Sequence, residues 1–163
     1  MITSTSLDRH GFILELLLGR DQEHIEPNLQ KRILFVHKEE MLVAMYLERL
    51  SRMGYRPVGN TSALAALDIF RAAPHDFDLA IIDYELFATT GIALAKDMLS
   101  IRSDIPVILL SDFDEMVTPE TVKAAGIRAY ASKVASRQEM QGLIEQILQG
   151  RTVSLPAIPF GNL

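Results

Sequence analysis

Leu79-Ala80-Ile81-Ile82-Asp83 decides the fold. Four apolar residues in a row are too few for a helix and carry no alternation, so they read as a strand buried on both faces. Strands of that kind belong to parallel sheets covered by helices. The carboxylate that ends the run marks where the chain leaves the core. The neighbouring sequence then has to supply more strands and the helices between them.

It does so on both sides. Upstream, Ile33-Leu34-Phe35-Val36 is a second buried strand. Glu39 to Met53 follows as a helix with Leu42, Met45, Tyr46 and Leu50 near one face, stopped by Gly54. Tyr55 to Val58 is a strand interrupted by Pro57, which suits a sheet edge. A helix over residues 62–73 carries Leu64, Leu67 and Phe70. Downstream, residues 91–101 form a helix and Pro106 to Leu110 a strand. Thr118-Pro119-Glu120 opens a helix with a threonine cap and proline at the first position. Arg128 to Ala131 is a short fifth strand. Ser136-Arg137-Gln138-Glu139 is a capping box that starts a last helix bearing Met140, Leu143, Ile144, Ile147 and Leu148. Strict alternation of this kind predicts an α/β fold, a doubly wound parallel five-stranded sheet of flavodoxin-like order 2-1-3-4-5.

The chain divides into a core of residues 31–150, an N-terminal extension of residues 1–30 and a tail of residues 151–163. Within the extension, Leu7–Leu18 is expected to be a helix capped by Ser6, followed by a polar linker. Its apolar groups lie on more than one side. That favours docking on the chain's own domain or on a twin, hence a homodimer through this helix. The alternative is a remnant of a connecting helix from a larger protein.

Composition narrows the function. Of the 163 residues 48% are hydrophobic, net charge is -5, and there is no cysteine. An acidic surface repels nucleic-acid phosphates, so nucleic acid is not expected as a partner. Thiolate metal sites and disulfides are excluded. No apolar run approaches the ~20 residues that span a bilayer, so no membrane role and a cytoplasmic location are expected.

In an open parallel sheet the functional crevice lies beyond the carboxyl ends of the strands. His37, Lys38 and Glu39 follow the first strand, Asp83 the third, Ser111 and Asp112 the fourth, and Ser132 and Lys133 the fifth. A carboxylate, a hydroxyl and an ammonium from three neighbouring strands suit phosphoryl chemistry. Asp83 is the candidate nucleophile, Ser111 a hydrogen-bond donor and Lys133 a charge neutraliser. Each alone reads as an ordinary polar strand terminus.

With these residues in place, the chain from about Lys31 to Gly150 resembles the receiver domains of bacterial response regulators, the CheY-like family, and is similar to receivers of hybrid sensor histidine kinases. The resemblance implies that Asp83 is the phosphoacceptor, followed eight residues later by Gly91. It assigns Ser111 to phosphate binding and Tyr130 to the aromatic switch position, with Lys133 three residues on. It also implies a signalling role without enzyme activity, with a sensor histidine kinase or another signalling protein as partner. The partner surface would be residues 115–149, with contributions from Val117, Val122, Ala125 and Tyr130.

Departures from the family cluster at one place. An active receiver carries an acidic pair after the first strand that holds Mg²⁺; here the positions read His37 and Lys38. Mg²⁺ wants oxygen ligands. A unit charge pair at ~4 Å is worth about 4 kcal/mol at an effective dielectric of ~20, so an ammonium beside a dication opposes it strongly. Phe87 replaces a usual proline, Asp112 a small residue, and Val134 the proline that follows the lysine. Without that proline a trans bond and a shifted Lys133 loop are expected, since cis before Val costs about 3 kcal/mol. These departures point to a pseudo-receiver with a degenerate metal site and weak Mg²⁺ binding at best, in which Lys38 pairs with Asp83. The alternative is a phosphorylatable regulator in which Glu39 and Asp112, with Asp83 and Glu85, rebuild the metal site. A flavodoxin-like enzyme lacks a glycine-rich phosphate loop here, and the segments outside the core are too short for a DNA-reading domain.

Overall fold

The computed structural model describes residues 31–111 and 117–151. The expected N-terminal helix and its linker, Asp112, and the tail beyond Arg151 lie outside the described residues.

Strands β1 (Arg32–Val36), β2 (Arg56–Asn60), β3 (Leu79–Asp83), β4 (Val107–Leu110) and β5 (Ala129–Ala131) alternate with helices α1 (Glu40–Arg52), α2 (Ala63–Ala72), α3 (Gly91–Ile101), α4 (Pro119–Ala124) and α5 (Arg137–Leu148). A short 3-10 turn, Pro74–Asp76, precedes β3. The sheet order is β2-β1-β3-β4-β5, and every pairing is parallel. This is the doubly wound order expected from the alternation.

Side-chain alternation along the strands splits the core into two layers. Leu34, Val36, Ala80, Ile82, Val107, Leu109 and Tyr130 meet α2, α3 and α4. Ile33, Phe35, Leu79, Ile81, Ile108, Leu110, Ala129 and Ala131 meet α1 and α5. Strand β3 is buried along its whole length, as its unbroken apolar run requires. The helix starts follow their caps. Ser62, Thr90, Thr118 and Ser136 each accept a backbone N–H three residues on, and the last two close capping boxes.

Three expectations about side chains change. In α2 the buried face is Ala66 and Phe70, while Leu64 is 70% exposed. On α1, Val43 joins Tyr46 and Leu50 in the core, and Leu42 and Met45 are only partly covered. Val117, Val122, Ala125 and Tyr130, expected on a partner surface, are all buried. Their apolar groups fill the layer under α4 and are not available to a partner.

Candidate functional site

Register decides which residues meet at the carboxyl edge of the sheet. Val36 pairs with Ile82 across β1 and β3, so His37 and Asp83 fall opposite each other one residue later. Both continue the odd-numbered set that faces α1 and α5, and Asp83 pairs with Leu110 of β4 on its other side. Lys38 belongs to the opposite parity and is carried away from this layer. Strand geometry thus places an imidazole, not an ammonium, beside the carboxylate from the β1 side.

The distances agree. His37 Nε2 lies 3.0 Å from Asp83 Oδ2, and Lys133 Nζ lies 3.3 Å from Oδ1. Oδ1 also accepts the Glu85 backbone N–H at 2.7 Å. Asp83 has no exposed surface and His37 only 3%. The ring of His37 lies almost parallel to Phe35, and Phe35 stacks on Tyr46. Its Nδ1 accepts the Glu39 backbone N–H at 3.0 Å. An accepting Nδ1 puts the ring proton on Nε2, the nitrogen that faces Asp83. The 3.0 Å contact does not meet hydrogen-bond geometry, and Oδ2 accepts no hydrogen bond. The attraction there is that of a polar N–H edge for a carboxylate.

Lys38 was expected against Asp83, and it pairs with Glu85 instead. Its Nζ lies 2.9 Å from Glu85 Oε2, and Lys133 Nζ lies 3.7 Å from the same oxygen. The hydrogen bond to Glu85 raises the Lys38 ammonium above its ordinary range, and Asp83 contributes only weakly. The same bond, with Lys133 behind it, holds the Glu85 carboxyl below the usual carboxylate range. Lys133 was expected on a displaced loop, yet it reaches Asp83. Ser132 holds the turn: its Oγ accepts the Val134 N–H at 3.2 Å, and its carbonyl accepts the Ala135 N–H at 3.0 Å.

The connection from β3 to α3 is tight. Gly91 N–H donates to the Tyr84 carbonyl at 2.8 Å, and Glu85 bridges to Thr90. A Cβ on residue 91 would overlap the Asp83 carbonyl. Ala88 in this loop has φ 64, a left-handed conformation that costs an L-residue roughly 1–2 kcal/mol. Ser111 is buried at the end of β4, its N–H on the Ala131 carbonyl at 3.0 Å. Tyr130 lies in β5 on the α2–α4 side, where burial raises its phenol above the usual range.

Asp83, Lys133 and Ser111 therefore share one edge of the sheet, while Tyr130 points to the opposite layer. Glu39 is the N-cap residue of α1 and is exposed. Reading the sequence by residue type missed His37 as the partner of Asp83. Counting parity along β1 and β3 would have found it.

These residues do not fit Mg²⁺. At the two positions where the family carries acids, one side chain presents an N–H edge to Asp83 and the other an ammonium to Glu85. Lys133 already neutralises the carboxylate from the far side. Among the described residues no group of three or more His, Cys, Asp or Glu is arranged to hold a metal ion.

Residues 33–145 match the family described as the response regulator receiver domain. The chain is 27% identical over 124 residues to a two-component response regulator of Oryza sativa, ORR25, covering 76% of this chain and 18% of that protein. It is 26% identical over 142 residues to the probable transcriptional regulator ycf27 of Cyanidium caldarium, covering 86% of this chain and 56% of that one. The chain thus spans a minor to moderate part of these relatives. In structure it is similar to a response regulator receiver domain from Clostridium thermocellum, with TM-score 0.70, 18% identity, and coverage of 74% of this chain and 95% of the other. A CheY-like receiver domain from Methanospirillum hungatei gives TM-score 0.67 at 22% identity, covering 74% and 94%. Sheet order, crevice and family match agree: the chain belongs to the response regulator receiver domain family of two-component signalling.

Proposed function

We propose that this chain is a pseudo-receiver: a signalling module with Asp83 at the phosphoacceptor position but without metal-dependent phosphorylation. One observation carries the reading. Asp83 is sealed from solvent between His37 and Lys133, and the lysine in the metal-ligand position is tied to Glu85. A phosphoryl donor has to displace one of these groups before it can meet the carboxylate. The unit that does this work is residues 31–150, with residues 1–30 and 151–163 as flanking segments.

The module acts by presenting a surface to a sensor histidine kinase or another signalling protein. The outer face of α4 and the turn into β5 offers exposed Glu120, Lys123 and Arg128 for that purpose. It is a polar, charged face, suited to steering and specificity.

The test is intact-mass analysis after incubation with a small phosphoryl donor, with and without Mg²⁺. Slow modification of Asp83 that ignores Mg²⁺ is expected. The double change His37→Asp with Lys38→Asp is expected to bring back metal dependence. Stoichiometric phosphorylation of the natural chain that appears only with Mg²⁺ would show instead that Glu39 and Asp112 rebuild a metal site.

A further inference from the structure

The helices of the two layers differ in charge. Helix α1 carries Glu40, Glu48, Arg49 and Arg52, and α5 carries Arg137, Glu139 and Glu145. Helices α2 and α3 pack side by side on the other layer and carry only Asp68 with Arg71, and Lys96 with Asp97. Between them opens a groove of about 510 Å³. Leu64 and Leu67 of α2, Leu94 and Asp97 of α3, and Phe87 and Thr89 of the β3–α3 connection line it.

Two large apolar groups of this lining stand in water. Leu64 is 70% exposed and Phe87 69%. Single exposed apolar side chains are ordinary, but two that share a groove make a patch. Neither is free to fold away. Leu64 sits in the first turn of α2, which the Ser62 cap holds. Phe87 sits in a connection pinned by the Gly91–Tyr84 bond and the Glu85–Thr90 bridge. The polar lining is sparse. Ser62 is spent on the cap, and Asp97 is the one charged group. Its carboxylate forms no ion pair among the described residues.

The chain itself carries a segment of matching chemistry. Residues 12–18 read Phe-Ile-Leu-Glu-Leu-Leu-Leu, with Arg9 before them and Arg20 after. Residues 19–30 tie this run to Lys31 at the start of the core. At ~3.3–3.6 Å per residue that tether reaches about 40 Å. A domain of this size has a radius of gyration of about 14 Å, so every face lies within reach. A tether of this length also keeps the segment at an effective concentration of about millimolar, well above a second copy at micromolar protein.

We propose that residues 7–18 occupy the α2–α3 groove of their own chain. Their apolar side chains lie between Leu64 and Phe87, and a flanking arginine pairs with Asp97. The docked segment braces the β3–α3 connection, which begins at the residue after Asp83. A partner that pulls the segment away would therefore loosen the crevice from behind. The inference goes beyond the pseudo-receiver reading and does not rest on it, since Asp83 faces the opposite layer.

The chain has no cysteine, so two introduced thiols are the only ones present. Glu15→Cys is combined with Thr89→Cys at the groove in one full-length chain. In another it is combined with Gln146→Cys, exposed on α5 in the opposite layer. A short bis-maleimide is added at micromolar protein, and intact mass separates intrachain from interchain products. A free segment would react at similar rates with both positions, because the tether alone sets the effective concentration. Docking is expected to make intrachain linkage at residue 89 roughly tenfold faster than at residue 146. Leu64→Asp with Phe87→Asp, both at exposed positions, should bring the two rates together. Leu14→Asp with Leu17→Asp alters the segment alone and should do the same. Equal rates in the parent chains overturn the inference, as does a fast rate at residue 89 that neither double change slows. Products that join two chains at residue 89 also overturn it and assign the groove to a second copy.

Discussion

At the ends of β3 and β5 the crevice brings a carboxylate and an ammonium together: Asp83 buried at the strand end and Lys133 at 3.3 Å. At the end of β1 the same crevice carries His37 and Lys38 where the family resemblance calls for two acids. The two sides respond differently to one requirement. A buried carboxylate has to be compensated by charge or by polar groups. In a metal-binding receiver the acids of β1 bring the compensating cation. Here polar and cationic groups come in directly, His37 from one side and Lys133 from the other, and Glu85 absorbs the surplus charge of Lys38. The β3 side is set by backbone packing and the β1 side by charge, so substitutions on the two sides should report different physics.

The largest effect is expected on the backbone side. Gly91→Ala drives a Cβ into the Asp83 carbonyl and crowds Leu109. The obstruction is backbone at the end of the most buried strand, so the site cannot relax cheaply. A loss of about 3 kcal/mol in urea unfolding is expected, the upper range for overpacking. An alanine chain as stable as the natural one would mean that the β3–α3 turn is looser than its hydrogen bonds indicate.

Asp83→Asn comes next and tests the charge side. In a site crowded with acids, removing one carboxylate relieves repulsion and stabilises the fold. Here the neighbours are Lys133 and the N–H edge of His37, so neutralising Asp83 strips two partners at once. Asparagine can still accept the Glu85 N–H, which limits the damage. A loss of about 1–3 kcal/mol is expected, as for a charged hydrogen-bonded group left unmatched. An Asp83→Asn chain more stable than the natural one sinks the comparison.

Legibility in the sequence followed the same division. Strand and helix order came from apolar runs and caps, and the helix expected over residues 91–101 is α3, Gly91–Ile101. The second strand was placed short because Pro57 reads as a break. It runs on to Asn60 because an edge strand needs ladder partners on one side only, here β1. Leu64, Leu67 and Phe70 read as the apolar residues of the second helix, yet Ala66 and Phe70 are the ones that are buried and Leu64 is exposed. The positions of Asp83, Ser111 and Lys133 were readable because each ends an apolar run. The pairing among them was not, since charge type suggested Lys38 for Asp83 while strand parity selected His37.

The smallest effect belongs to the outer ion pair, and it can be told apart by pH and salt. Lys38 and Glu85 meet at 2.9 Å with 30% and 56% of their side chains exposed. Exposed pairs of this kind are screened and contribute little. Glu85 titrates below its ordinary 4.5 in the folded chain, chiefly through the hydrogen bond from Lys38. Its unfolded form therefore binds protons more readily than its folded form. The stabilisation is present above about pH 4.5 and is lost as pH falls through the lower folded value. Lys38 is shifted upward from 10.5, so its share is present below that pH and is lost as pH rises through the higher folded value. The pair contributes a plateau between these limits. Lys38→Met should remove that plateau and destabilise less than Asp83→Asn at neutral pH. The difference between Lys38→Met and the natural chain should shrink in 1 M salt, where the screening length falls to about 3 Å. Denaturation midpoints across pH in low and high salt measure both. A Lys38→Met loss that equals that of Asp83→Asn and ignores salt would place Lys38 inside the buried network, and the division between a packed side and a charged side would fail.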